Sequence, residues 1–204
     1  MTRLDCELVT WGTVQRLSRK VAQLIHAEAF RPDLVVAIGR GGYVPARLLC
    51  DWLDLTDLTA IKLEHYRAGS DKQPEAVIRF PLCQPIPGQR VLLVDDVNDT
   101  GDTLCAAVDH LQAQGAHEVR VAVLHDKPGS RFRVDYRGQR IRGWRWLIYP
   151  WAVAEDVRGF LNRYHGPGEP EAARQWLAEH FGIRLSSQRI ADILAFTPHG
   201  SPNP

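Results

Sequence analysis

The sequence predicts an α/β domain: a central, mainly parallel β-sheet flanked by helices. Three observations point there. Apolar runs at residues 34–38 (LVVAI), 91–94 (VLLV) and 118–124 (EVRVAVL) have the length and β-branched content of strands covered on both faces. Segments with helical apolar spacing lie between them. Two of the runs lead into loops rich in glycine, acid or hydroxyl residues, and in parallel sheets ligands sit beyond the carboxyl ends of strands.

Length and composition agree with that class. The 204 residues suit one such domain with a sizeable core. A chain 45% hydrophobic and 24% charged is ordinary globular material, and a net charge of +1 points to neither nucleic acid nor membrane. The four cysteines, Cys6, Cys50, Cys83 and Cys105, form no CxxC and read as buried or free thiols in a reducing, cytoplasmic setting. The eight histidines show no metal-ligand spacing. Neither a signal peptide nor an apolar run of membrane-spanning length is expected.

The first element is an amphipathic helix over residues 11–30, with Val14, Leu17, Val21, Leu24 and Ile25 as its apolar stripe. Residues 34–38 form the first buried strand. Gly39, Arg40, Gly41 and Gly42 follow, then a helix over 44–53 carrying Leu48 and Leu49. A glycine-rich turn lets the backbone approach an anion, and Arg40 adds a permanent charge with a fork of donors. The same residues equally suit a plain strand-to-helix turn.

Residues 59–63 make a short strand. Residues 64–75 (EHYRAGSDKQPE) are polar, with glycine and proline, and read as a loop. Composition alone makes it a solvated connection. Residues 76–80 form a strand, and 85–88 turn the chain into the run at 91–94.

That run ends in two acids, Asp95 and Asp96. Val97, Asn98, Asp99, Thr100, Gly101, Asp102 and Thr103 follow, and then Leu104, Val108 and Leu111 begin a helical face. Backbone N–H groups, two threonine hydroxyls and a helix N-terminus suit a phosphate dianion. The paired acids suit vicinal hydroxyls such as those of ribose. Residues 91–104 (VLLVDDVNDTGDTL) resemble, without a gap, the phosphoribosyl pyrophosphate signature of the type I phosphoribosyltransferases. A receiver domain whose strand-end aspartate accepts a phosphoryl group is the alternative, but it does not account for Thr-Gly-x-Thr.

The resemblance extends along residues 34–152 and assigns roles. It makes Arg40, Gly41 and Gly42 the pyrophosphate loop, in the 6-oxopurine branch, with a cis peptide expected at Arg40–Gly41. It makes residues 64–75 a lid, which would keep water from a reactive sugar cation. Asp95 and Asp96 would hold the ribose hydroxyls, directly or through the waters of a Mg²⁺ ion. Residues 97–103 would hold the 5-phosphate, and Asp99 would take a proton from the purine.

Further along, the strand at 118–124 leads to Lys127, which by itself reads as a solvated loop lysine. Residues 131–145 hold six arginines among Phe132, Val134, Tyr136 and Ile141 and read as a half-exposed hairpin with a solvated face. By resemblance this is the hood over the base. Trp146, Leu147, Ile148, Tyr149, Pro150 and Trp151 read plainly as a core strand ending at proline. They also resemble the aromatic-x-x-x-Pro-Trp segment of the xanthine–guanine phosphoribosyltransferases. Lys127, Trp146 and Leu147 would then bind the base, Trp146 by stacking. The acid that relatives carry after Pro-Trp is replaced by Ala152, with Glu155 and Asp156 as candidates for its place.

Residues 1–154 thus form the proposed domain, and residues 155–204 a helical appendage. Its helices are expected at 155–164, 169–181 and 187–196, the last capped by Ser187, before a frayed tail at 197–204. The implied function is purine salvage: transfer of ribose 5-phosphate from phosphoribosyl pyrophosphate to guanine, xanthine or hypoxanthine, releasing pyrophosphate. A homo-oligomer, dimer or tetramer, is implied too. Two alternatives stay open: transfer to another base, and a non-catalytic regulator that senses phosphoribosyl pyrophosphate.

Overall fold

A computed structural model describes residues 4–66 and 75–196. The chain divides into two compact units. The larger spans residues 12–143 and the smaller joins the N-terminal segment through Trp11 to residues from Trp144 onward.

The larger unit holds α1 (Trp11–Ala27, its first residue grouped with the smaller unit), β2 (Leu34–Gly39), α2 (Tyr43–Leu53), β3 (Leu58–Tyr66) and β4 (Glu75–Phe80). It continues with β5 (Arg90–Asn98), α3 (Asp102–Ala113), β6 (Glu118–Asp126) and β7 (Tyr136–Arg140). These strands form one sheet in the order β4-β3-β2-β5-β6-β7. All neighbours are parallel except β3 and β4.

The pleat explains the uniform apolar runs. Leu34, Val36 and Ile38 of β2 point to one face, where they pack with Leu104, Ala107 and Leu111 of α3. Val35 and Ala37 point to the other and pack with Val21, Ala22 and Ile25 of α1 and with Ala46 and Leu49 of α2. Each fully buried aliphatic side chain contributes roughly 1.5–3 kcal/mol, so central strands are apolar at every position.

Several boundaries differ from expectation. The first helix stops at Ala27, and Ala29 takes a positive φ of 53°. β5 runs through both acids to Asn98, because Val97 and Asn98 pair with His125 and Asp126 of β6. Val97 and Asn98 are therefore strand residues, not loop. β3 and β4 are an antiparallel pair reaching Tyr66 and Glu75, so the segment expected as a lid is strand at both ends. Its middle, residues 67–74, lies outside the described residues, as does the tail at 197–204. The expected hairpin at 131–145 is corrected: residues 136–140 add to β6 as a parallel strand, with Tyr136 buried.

The smaller unit pairs β1 (Cys6–Leu8) in parallel with β8 (Trp146–Ile148). It continues with α4 (Val153–Arg163), α5 (Pro170–Phe181) and α6 (Ser187–Ala195). Ile148, Val157, Phe160, Leu177, Phe181 and Ile190 meet in its core. The division falls after Gly143, where the sequence suggested 154/155, because β8 belongs with β1 and the helices. Glu169 caps α5 by accepting from the N–H groups of Glu171 and Ala172, with Pro170 as first residue. Ser186, not Ser187, caps α6, its Oγ accepting from Arg189 N at 3.2 Å. None of the described helices is long and apolar enough to cross a membrane.

Candidate active site

The carboxyl ends of β2, β5 and β6 are neighbours in the sheet, so their loops meet at one edge. After β2 the chain turns through Arg40 and Gly41. Gly42 N donates to Ile38 O at 2.8 Å, and α2 begins at Tyr43. The cis peptide among the described residues is Gly39–Arg40, one bond before the expected Arg40–Gly41. β2 ends at Gly39, so this bond is where the turn opens. Gly41 is pressed against β5: a Cβ there would fall 2.6 Å from the Asp96 carboxylate. At Gly42 a Cβ would fall 2.3 Å from the backbone Val94 O of β5, an approach that only glycine allows.

Asp95 and Asp96 are both partly buried at this edge. Asp96 N donates to Asp95 Oδ1 at 2.9 Å. Burial, and then the charge of Asp96, push the Asp95 carboxyl well above the usual carboxylate range. A cation there would offset both effects. Among the described residues no group of three or more His, Cys, Asp or Glu side chains gathers, and Asp95 and Asp96 offer a pair of hard carboxylate ligands. That fits Mg²⁺, which keeps several waters and binds through one or two carboxylates plus substrate oxygens.

Beyond Asn98 the chain turns sharply. Gly101, at φ 92°, precedes α3, whose first turn contains Asp102 and Thr103. Thr100 Oγ donates to Asp102 Oδ2 at 2.9 Å, and Asp102 N donates back to Thr100 Oγ at 3.3 Å. The turn is bound to the segment after β6. Buried Asn98 donates from Nδ2 to Asp126 Oδ1 at 2.9 Å and to Phe132 O at 3.0 Å, and accepts from Ser130 Oγ at 2.7 Å. Arg131 N donates to Thr100 O at 2.9 Å, and Arg131 Nε lies 2.7 Å from Asp102 Oδ1.

Lys127, expected at a strand end, is there and is 5% exposed. Its Nζ donates to Asp99 Oδ2 at 2.8 Å and its backbone N to Asn98 O at 2.9 Å. The solvated-lysine reading is thereby corrected. His125 on β6 is fully buried, and burial, with Arg16 and Lys127 nearby, holds its pKa down to about 4. The imidazole is neutral at pH 7.

Trp146 and Leu147 lie on β8 in the smaller unit. Leu147 is buried, whereas Trp146 is 38% exposed. The Trp146 indole Nε1 donates to Asp156 Oδ1 at 3.1 Å, and its ring meets Phe160 edge-on at 6.2 Å between centroids. Burial raises the Asp156 pKa to about 6, with the Trp146 bond lowering it and Glu155 raising it. Of the two acids that follow Ala152, Asp156 is the one bonded to the tryptophan.

Sequence reasoning missed Ser130, Arg131, Phe132 and His125. The Pro128-Gly129-Ser130 turn directly after Lys127 was the available signal, since it returns the chain toward the strand end it has just left.

The mainly parallel sheet and its strand-end loops define an α/β protein with its candidate site at the carboxyl edge of the sheet. Residues 7–156 match the phosphoribosyl transferase domain family, and the chain belongs to it. It is 30% identical over 164 residues to the xanthine-guanine phosphoribosyltransferase of Cereibacter sphaeroides, covering 78% of this chain and 92% of that protein. A crystal structure of purine phosphoribosyltransferase from Pyrococcus horikoshii superposes with a TM-score of 0.64 at 32% identity, over 72% of this chain and 95% of that one. A hypothetical protein from Neisseria gonorrhoeae, crystallised with bound ppGpp, gives 0.67 at 25% identity, over 81% and 99%.

Proposed function

We propose that this phosphoribosyltransferase moves ribose 5-phosphate from phosphoribosyl pyrophosphate to a 6-oxopurine and releases pyrophosphate. The observation that carries the reading is Gly41 against Asp96. It sets the backbone of a glycine turn, suited to pyrophosphate, beside the acids suited to ribose hydroxyls. In phosphoribosyl pyrophosphate the pyrophosphate sits on C1, next to the carbons that carry the hydroxyls, and the C1–oxygen bond to it is the one that breaks.

In this reading Arg40, Gly41 and Gly42 bind pyrophosphate, and Asp95 and Asp96 hold the ribose hydroxyls. The chain from Val97 to Thr103 receives the 5-phosphate. A Mg²⁺ ion at the two acids would, when bound, offset charge on the leaving pyrophosphate. Asp99 accepts the proton that the purine imidazole loses as the new bond forms, within reach of Lys127. Lys127 donates to the 6-oxo group, and Trp146 is assigned the stacking face. The ppGpp bound by the Neisseria protein supports a guanine-bearing ligand with phosphate groups.

The test is a panel of free bases with phosphoribosyl pyrophosphate and Mg²⁺, scored for pyrophosphate release. Guanine, xanthine and hypoxanthine are expected to react, with adenine at least ~100-fold slower, because its 6-amino group would face the lysine donor. Comparable use of adenine would move the protein to another branch. Tight binding of phosphoribosyl pyrophosphate with no release on any base would make it a regulator.

A further inference from the structure

We propose that Arg131 is the counter-ion of the phosphate loop, a positioning residue that cancels the charge of Asp102 so that the loop can accept a dianion. The inference rests on the phosphate-loop reading above and extends it to a residue outside that loop.

From Asp95 to Asp102 the chain carries four carboxylates: Asp95, Asp96, Asp99 and Asp102. That is a hostile approach for a phosphate, whose other partners are backbone N–H groups with only partial charge. Asp102 is the most direct competitor. As the first residue of α3 it lies where the N–H groups of the helix end converge, and a carboxylate there is stabilised by the same dipole that attracts phosphate. One of its oxygens accepts from Thr100 Oγ, a hydroxyl the phosphate would use, and the other is 2.7 Å from Arg131 Nε.

The main chain holds Arg131 in this place. Its own N–H is bonded to Thr100 O, and Ser130 on one side is bonded to Asn98. On the other side, Phe132 packs so closely that a Cβ on Gly101 would fall 2.7 Å from its Cβ. The ion pair is open on its arginine side, with the arginine side chain 66% and the aspartate 26% exposed. Such pairs add little stability, so what this one changes is the local charge at the helix end. Lys127 does the same for Asp99, so one short segment answers two of the four carboxylates.

The experiment is calorimetric titration with ribose 5-phosphate at low ionic strength, without divalent metal. It compares wild type, Arg131→Lys, Arg131→Gln, Asp102→Asn and the Arg131→Gln/Asp102→Asn pair. Arg131→Gln should weaken binding by ~10-fold or more, while Arg131→Lys keeps most of it. The double variant, neutral again at this position, should return to within ~3-fold of wild type, and the differences should shrink at about 0.5 M salt. Wild-type affinity in Arg131→Gln overturns the proposal. A double variant as weak as Arg131→Gln also overturns it, by making the arginine a direct ligand. A wild type that binds no ribose 5-phosphate removes the phosphate-loop reading itself, and the proposal with it.

Discussion

Lys127 Nζ and Asp99 Oδ2 lie 2.8 Å apart, a pair in which the lysine side chain is 4% exposed and the aspartate 40%. The cation is therefore fixed by the fold, while the carboxylate keeps an open side. In the proposed mechanism the buried lysine holds the proton-accepting carboxyl group in place, and that group remains 40% exposed.

Asp99→Asn keeps an oxygen for Lys127 and removes the basic group. Turnover is expected to fall ~10²–10⁴-fold, with affinity for phosphoribosyl pyrophosphate little changed. Steady-state kinetics with chemistry rate-limiting, beside a binding titration, check this. Unchanged turnover takes Asp99 out of the mechanism.

If Lys127 reads the 6-position as proposed, Lys127→Ala should erode discrimination against adenine, because that donor is gone. Trp146→Ala should raise the Michaelis constant for every purine alike, since each offers a π-face. Comparing specificity constants for guanine and adenine separates the two effects.

Gly101 combines a φ of 92° with a packed neighbourhood of Phe132 and Ser130. Gly101→Ala forces a side chain into both, a cost of roughly 1–3 kcal/mol for the backbone conformation alone. The variant should melt earlier and lose phosphate-ligand affinity together, because the contacts that reject the Cβ also hold the loop. Melting curves and calorimetry test it, and normal affinity in a destabilised protein would separate the loop from the phosphate.

Asp156 has its folded pKa raised to about 6, above the ordinary carboxylate value. Between those two values the folded state holds a proton that the unfolded chain releases. Stability from this group therefore falls as pH rises through that window. Asp156→Asn keeps an acceptor for the Trp146 indole and abolishes the ionisation. It should match wild type near pH 4 and melt higher than wild type at pH 7. Parallel melting curves at the two pH values decide it.

His125 gives the opposite sign. Its folded pKa, held to about 4, lies below the ordinary imidazole value of 6.5. The unfolded chain takes up the proton first as pH falls, so stability is full above about 6.5 and is lost toward 4. The slope is at most ~1.4 kcal/mol per pH unit. His125→Gln should flatten the acid limb of the stability profile, whatever its effect at neutral pH, in urea unfolding followed from pH 7 to 4.5.

The sheet's centre was legible in the sequence because β2 and β5 are apolar on both faces, and periodicity is not needed to see such strands. β7 was hidden for the converse reason. In its sequence, Tyr-Arg-Gly-Gln-Arg, only Tyr136 and Gly138 face inward, and Gly138 is glycine where a Cβ would meet Leu124 O at 2.8 Å. β1 is three residues long and carries no period at all. At the site, Asp95, Asp96 and the Thr-Gly-x-Thr turn stood out because they are contiguous. The bonds from Asn98 to Asp126, Ser130 and Phe132 span 28 to 34 residues, and nothing local announces them. Resemblance supplied Lys127, which composition alone left in solvent.

The pairing of β1 with β8 has a consequence for the order of events on the ribosome. Cys6, Glu7 and Leu8 are made before the larger sheet, and their partners Trp146, Leu147 and Ile148 come after all of it. At ordinary synthesis rates, roughly ten seconds separate the two. During that interval all the strands of the larger sheet have been made, while β1 waits as an unpaired edge beside a growing chain. A truncation that stops before residue 146 would leave that edge permanently unmatched, and deleting β1 would strip the smaller unit of one of the two strands of its described sheet although its three helices follow the larger sheet in the chain.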